Sequence, residues 1–184
     1  MTILNSSINT ALALLFLLAT LSVHAEETKT KVGLFGVFSP DREKDLRKIT
    51  DTWTDIKLDS IDFKHAEGVF VFDAEKLFPK AKPDAIITNL DNKLRAASNS
   101  TFGIKPLSTV AKEKLVRIEI AVVGLDCKAC SFAAYNIIAS IDGVVQATSS
   151  FKEGLITALI DPNKTQKAVL EETLKKHNVT IKQP

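Results

Sequence analysis

Side chains that commonly carry redox, metal or acid–base chemistry are scarce in these 184 residues, which hold 2 Cys, 3 His, 1 Tyr and 1 Trp. No Ser-His-acid set, His-rich metal cluster or glycine-rich phosphate loop can be picked out, so the classical hydrolase chemistries lack their residues and a non-enzymatic role is expected. Charge of one sign is missing as well. Lys and Arg number 24 against 22 Asp and Glu, a formal net charge of +2, which offers no broad field to a nucleic-acid backbone or an acidic membrane. What is there, 45% hydrophobic and 25% charged residues, is the mixture of a soluble globular protein able to bury a core.

Asp, Glu, Lys and Arg are absent from Met1 to Ala25, where the apolar run Ala11 to Ala19 has the length of a signal-peptide h-region and is short for a bilayer span. Val23-His24-Ala25 puts small or slim residues where a signal peptidase reads, and Glu26-Glu27 follows at once. Residues 1–25 are therefore read as a cleaved export signal, leaving a periplasmic or secreted protein with no membrane span. An n-region without Lys or Arg leaves a retained N-terminal anchor as the alternative. Either way the rest of the chain is expected outside the cytoplasm, where thiols oxidise unless something occupies them.

From Val116 onward the apolar pattern changes in a regular order. Val116 to Val123 reads as a strand; Phe132, Ala133, Ile137, Ile138 and Ile141 recur at helical spacing, and Asp142-Gly143 stops them. Val144 to Thr148 and Leu155 to Ile160 flank Lys152-Glu153-Gly154 as a hairpin. A helix from Thr165 to His177, with Ala168, Leu170 and Leu174 facing in, and a short strand Val179 to Ile181 complete a βαββαβ unit.

The earlier half repeats this order. Val32 to Phe38 reads as a strand, Pro40 to Trp53 as a helix, Ile61 to Phe63 and Val69 to Phe72 as a hairpin, and Pro83 to Ala97 as a second helix. At an offset of 88, Leu46 falls on Ala134, Ile49 on Ile137, Trp53 on Ile141 and Phe63 on Phe151. The fold class expected is α+β, two tandem ferredoxin-like βαββαβ domains after a signal peptide. Their bounds are 26–107 for the first, 108–115 for a linker and 116–184 for the second, with Pro106 to Leu115 a short tether that permits relative motion.

Gly124-Leu125-Asp126-Cys127-Lys128-Ala129-Cys130 lies between a strand and a helix, so both thiols sit near a helix N-terminus, where unpaired N–H groups and the dipole favour thiolate. Lys128 adds a positive charge. Two thiolates suit a soft d¹⁰ ion of low coordination number, Cu(I) first and Hg(II) next, whereas Zn(II) wants two more ligands.

These residues resemble the heavy-metal-associated domain family, the βαββαβ fold of copper chaperones, of N-terminal domains of copper-transporting P-type ATPases and of the periplasmic mercury-binding protein. The family motif Gly-Met-x-Cys-x-x-Cys stands here with Leu125 in place of Met, a side chain able to fill the same volume beneath the loop. Gly143-Val144 is similar to the family's entry to its second strand. The resemblance implies metal ligation by Cys127 and Cys130, and exchange of the ion with a metal-donor or acceptor protein. In the first half Ser39 and Arg42 fall where the cysteines fall. Ser39-Pro40-Asp41 reads as an ordinary helix cap, which makes this a degenerate copy without cysteines. His177 is read as a solvated residue at a helix end, with a place near the sulfurs as the alternative, and His65 as a surface residue of a hairpin turn. Asp41, Glu43 and Asp45, interleaved with Arg and Lys, read as a solvated helix face. Two other functions stay open for the cysteines: extracytoplasmic thiol–disulfide redox, or an interaction module in which they are locked as a disulfide.

Overall fold

The structure, a computed structural model, describes residues 27–182. The expected export signal, residues 1–25, lies outside the described residues, and among those described no helix is long and apolar enough to cross a membrane.

The first unit runs β1 (Glu27–Phe35), α1 (Pro40–Thr50), β2 (Ile56–Asp62), a 3-10 turn at Phe63–His65, β3 (Glu67–Asp73), the single turn α2 (Ala74–Leu77), α3 (Pro83–Ala97) and β4 (Gly103–Lys105). After a second 3-10 turn at Lys112–Lys114 come β5 (Val116–Val123), α4 (Lys128–Ala139), β6 (Val144–Ser150), β7 (Leu155–Ile160), α5 (Lys167–Lys176) and β8 (Thr180–Ile181). The two sheets have the orders β2-β3-β1-β4 and β6-β7-β5-β8. Every neighbouring pair is antiparallel. Each is the ferredoxin-like arrangement, in which the helical crossovers leave the helices packed on the sheet, so the expected fold class is found twice.

Alternation in the strands and 3.6-residue spacing in the helices meet in two separate cores. Val32 and Leu34 of β1 and Phe70 and Phe72 of β3 close on Leu46 of α1 and on Leu90 and Leu94 of α3. In the second unit Ile120, Val122, Ile156 and Ile160 close on Ala134 and Ile138 of α4 and Leu170 and Leu174 of α5. Each fully buried Leu, Ile or Phe contributes on the order of 2 kcal/mol of transfer free energy.

Several expectations are corrected in detail. β1 extends back to Glu27, because Thr28 and Thr30 continue the alternation that the charged residues hide and the segment pairs with Asp73 to Val69. β2 begins at Ile56, and Phe63 belongs to the 3-10 turn, half-buried, while Phe151, its counterpart at the offset, is exposed. β4 is only three residues long and is fixed from outside the strand, Asp91 of α3 accepting a hydrogen bond from Ile104 N–H at 2.6 Å. Ala168 is exposed; Leu170 and Leu174 alone carry the inner face of α5. His65 is no surface residue: its Nδ1 lies 2.7 Å from Asp62 Oδ2 and its side chain is mostly buried.

The segment joining the units is tied down. Lys112 places its ammonium 2.8 Å from Asp62 and 2.7 Å from Glu67, both on the first unit. Burial works to raise the Asp62 pKa, but hydrogen bonds from Lys112 and His65 hold it at about 2.

The two units also meet directly. Phe35 and Phe38, at and just after the end of β1, pack on the second core, their rings 5.3 and 5.1 Å from Tyr135 of α4. Three side chains cross the boundary to backbone groups. Tyr135 Oη accepts a hydrogen bond from Gly36 N–H at 2.6 Å. Gln146 Nε2 donates to Val37 O at 3.1 Å and to Phe63 O at 2.7 Å. Lys105 Nζ donates to the carbonyl oxygens of Val144 and Val145 on β6.

Candidate metal centre

The cysteine loop is built by the end of β5 and the start of α4. Gly124 turns the chain at φ +85°, a left-handed conformation that glycine adopts without strain. Leu125 then drops into the second core as one of its buried members, filling the volume beneath the loop. Cys127 is the N-cap of α4 with extended backbone, φ −148° and ψ 163°, and its Sγ accepts a hydrogen bond from Cys130 N–H at 3.1 Å. Both cysteines are free thiols, Cys127 exposed and Cys130 partly so.

The pair is electrostatically unequal. A hydrogen bond from the Cys130 thiol, then backbone N–H groups of Cys130 and Ala129, draw the Cys127 pKa below the ordinary thiol value, while the Asp126 carboxylate pushes the other way. Cys130, as donor in that thiol pair, is pushed up. Lys128, expected to assist, has no part in this pull; the thiol partner and the helix N-terminus supply it. The result is an exposed thiol that ionises more readily than an ordinary one, next to a second sulfur one helical turn away. That arrangement can ligate a soft cation or exchange with a disulfide.

Among the described residues no group of three or more His, Cys, Asp or Glu converges to hold a metal ion. His177 sits at the C-cap of α5, exposed, with its Nδ1 2.9 Å from Thr173 O. Asp41, Glu43 and Asp45 pair with Lys44, Arg47 and Arg42 along α1.

The first unit repeats the loop geometry with other chemistry. Gly36 turns at φ +94° and Val37 is fully buried, as Gly124 turns and Leu125 is buried. Ser39, the N-cap of α1, has φ −151° and ψ 160°, within a few degrees of Cys127. Its hydroxyl makes no capping hydrogen bond, contrary to expectation, because Arg42 N–H goes to the Ser39 carbonyl at 3.0 Å. Arg42, in the place of Cys130, lies 4.1 Å over the Phe102 ring and reaches toward Gly36 O at 3.4 Å. A fixed cation and a hydroxyl stand where a soft ion would need two thiolates. Both units have the ferredoxin-like βαββαβ fold, in tandem.

No family model matches the chain, and no curated protein matches it. Solved structures do resemble it. The CopZ metallochaperone is 19% identical over 36% of this chain and 100% of its own, with a TM-score of 0.35. Oxidized MerP from Ralstonia metallidurans CH34 is 21% identical over 38% of this chain and 99% of its own, with a TM-score of 0.35. The N-terminal soluble domains of Bacillus subtilis CopA are 15% identical over 85% of this chain and 93% of their own, with a TM-score of 0.35. At TM-scores of this size the architecture rests on the strand orders and the paired loops described above.

Sequence reasoning brought Cys127 and Cys130 together correctly as neighbours at a helix start. It did not single out Tyr135, Gln146 or Lys105, whose partners lie 99, 109 and 40 residues away and leave no local pattern.

Proposed function

We propose that this chain is an exported, non-enzymatic soft-metal-binding protein that captures Cu(I), with Hg(II) the next candidate, through Cys127 and Cys130 and passes it to, or takes it from, a partner protein. The observation that carries the reading is the exposed N-cap thiol of Cys127 with its pKa drawn down beside the free Cys130 thiol. Two sulfurs at the rim of a helix start leave room for a partner's thiolates to replace them one at a time, which an enclosed four-ligand site does not. The first unit, with Ser39 and Arg42 in the equivalent places, binds no ion and serves as a fixed neighbour. Export through residues 1–25 places the exchange in the periplasm or outside the cell, a reading supported by the composition of that segment.

The test is a Cu(I) titration of the reduced protein, without oxygen, against a chromophoric chelator, beside the double variant Cys127→Ser, Cys130→Ser. One tight equivalent that vanishes in the variant is expected. A reduced wild type that fails to compete with the chelator would reject the carrier reading in favour of thiol–disulfide exchange or a disulfide-locked interaction module.

A further inference from the structure

A cleft of about 760 Å³ opens where the two units meet, a volume in the range of small-molecule sites. Its apolar wall comes from both units, Phe38 and Phe63 of the first and Phe132 and Phe151 of the second. Phe151 is one of few large apolar side chains left exposed. The rim carries four cationic side chains, Arg42, Arg117, Lys128 and Lys152, against the acidic Asp41, Asp45 and Glu153. Arg42 is engaged by Asp45 at 3.2 Å, Arg117 by Glu119 at 3.0 Å, and Asp41 faces Lys44 at 3.5 Å. Lys128 and Lys152 are the rim cations that make no ion pair among the described residues.

Two further features have the same sign. The first residues of α1 and of α4 both line the cleft, so the positive ends of two helices, 11 and 12 residues long, lie beside it. Ser131 of α4 and Ser149 of β6 also line it, and they are only 1% and 6% exposed. Neither Oγ has a hydrogen-bond partner. Of the five buried side-chain oxygens without a hydrogen-bond partner among the described residues, these two line the same cleft and are free to serve a polar group supplied from outside.

We propose that this cleft binds a small organic anion with an apolar body, its carboxylate or sulfonate held by Lys128 and Lys152 and reached by the Ser131 and Ser149 hydroxyls, its body against the phenyl rings. Charge complementarity selects the anion over a neutral lipid, and the partly exposed phenylalanines select an apolar body over an inorganic ion. Lys128 and Ala129, the two residues between the cysteines, belong to its wall, so the bound anion lies beside the thiol loop. The cysteines themselves are not part of it, and the proposal stands apart from the metal reading.

The test uses the full chain with 8-anilinonaphthalene-1-sulfonate as the fluorescent probe, and octanoate and octanol as competitors. One saturable site is expected, displaced by octanoate and not by octanol at equal concentration. It weakens at least tenfold in Lys128→Glu, Lys152→Glu, whose side chains lie on the surface, and is kept in Cys127→Ser, Cys130→Ser. Non-saturating fluorescence, equal displacement by octanol, or affinity indifferent to the two charge reversals would overturn the proposal. Because the cysteine variant retains the probe site, loss of Cu(I) binding and loss of anion binding are read separately.

Discussion

A single hydroxyl, that of Tyr135, joins the Gly36 loop of the first unit to α4 of the second. Tyr135 is 1% exposed, and burial pushes its pKa up to about 12, so the phenol is neutral and able to accept the Gly36 N–H at any ordinary pH. Tyr135→Phe keeps the rings of Phe35, Phe38 and Phe132 in contact but leaves the buried Gly36 N–H without an acceptor. The expected loss is about 1 to 3 kcal/mol of unfolding free energy, with the m-value unchanged, read by urea denaturation. A variant as stable as the wild type would mean that water reaches Gly36 and that the contact has no structural weight. Nothing local in the sequence marks Tyr135 for this role. It stands on the helical face that Ala134 and Ile138 mark as buried, and its function depends on a residue 99 positions away. The placement of Cys127 and Cys130, by contrast, is legible in the sequence, because it lies in an i, i+3 spacing and a strand-to-helix junction.

At the scale of elements, the legible parts were those with long periodic patterns. β5, β7 and α3 lie where the alternation and the helical spacing put them. β4 is implied by the expected βαββαβ order but could not be placed on residues, because three residues carry no period and the strand exists through pairing with β1 and through Asp91. The start of β1 was hidden for the opposite reason: its residues are charged or hydroxylated, and only the partner strand makes them a strand. The offset of the two loops was the most productive reading, since Ser39 and Cys127 share N-cap dihedral angles to within a few degrees. That agreement has a consequence for α1. If N-cap geometry is what a thiolate pair requires, Ser39→Cys, Arg42→Cys creates a second site and the Cu(I) stoichiometry rises from one to two in the same chelator titration. A stoichiometry that stays at one would show that docking of this loop against α4 overrides its geometry, since Phe38 and Tyr135 hold it from outside.

Over the whole molecule the Gly36 loop serves as a joint between the units. The residues that follow β1 contact the helix carrying the cysteines, while Lys105 at the end of β4 donates to the carbonyls of Val144 and Val145 on the neighbouring β6. That lysine makes the joint sensitive to pH. Burial lowers its pKa from 10.5 to about 8 in the folded chain. Below pH 8 both folded and unfolded chains hold the proton, and the folded one bears the full cost of a desolvated ammonium. Between pH 8 and 10.5 the unfolded chain keeps a proton that the folded chain has released, so stability rises with pH across this window and levels off above it. Tyr135 acts with the opposite sign, but only above pH 10, where an unfolded tyrosine ionises and the folded one does not. The clean interval is therefore pH 8 to 10. Other titrating groups cancel when wild type is compared with Lys105→Met at each pH. Over that interval the wild type is expected to gain about 2 kcal/mol relative to the variant in urea unfolding. A difference independent of pH would mean that Lys105 remains an ammonium in the joint, solvated well enough for water to share it with the two carbonyls.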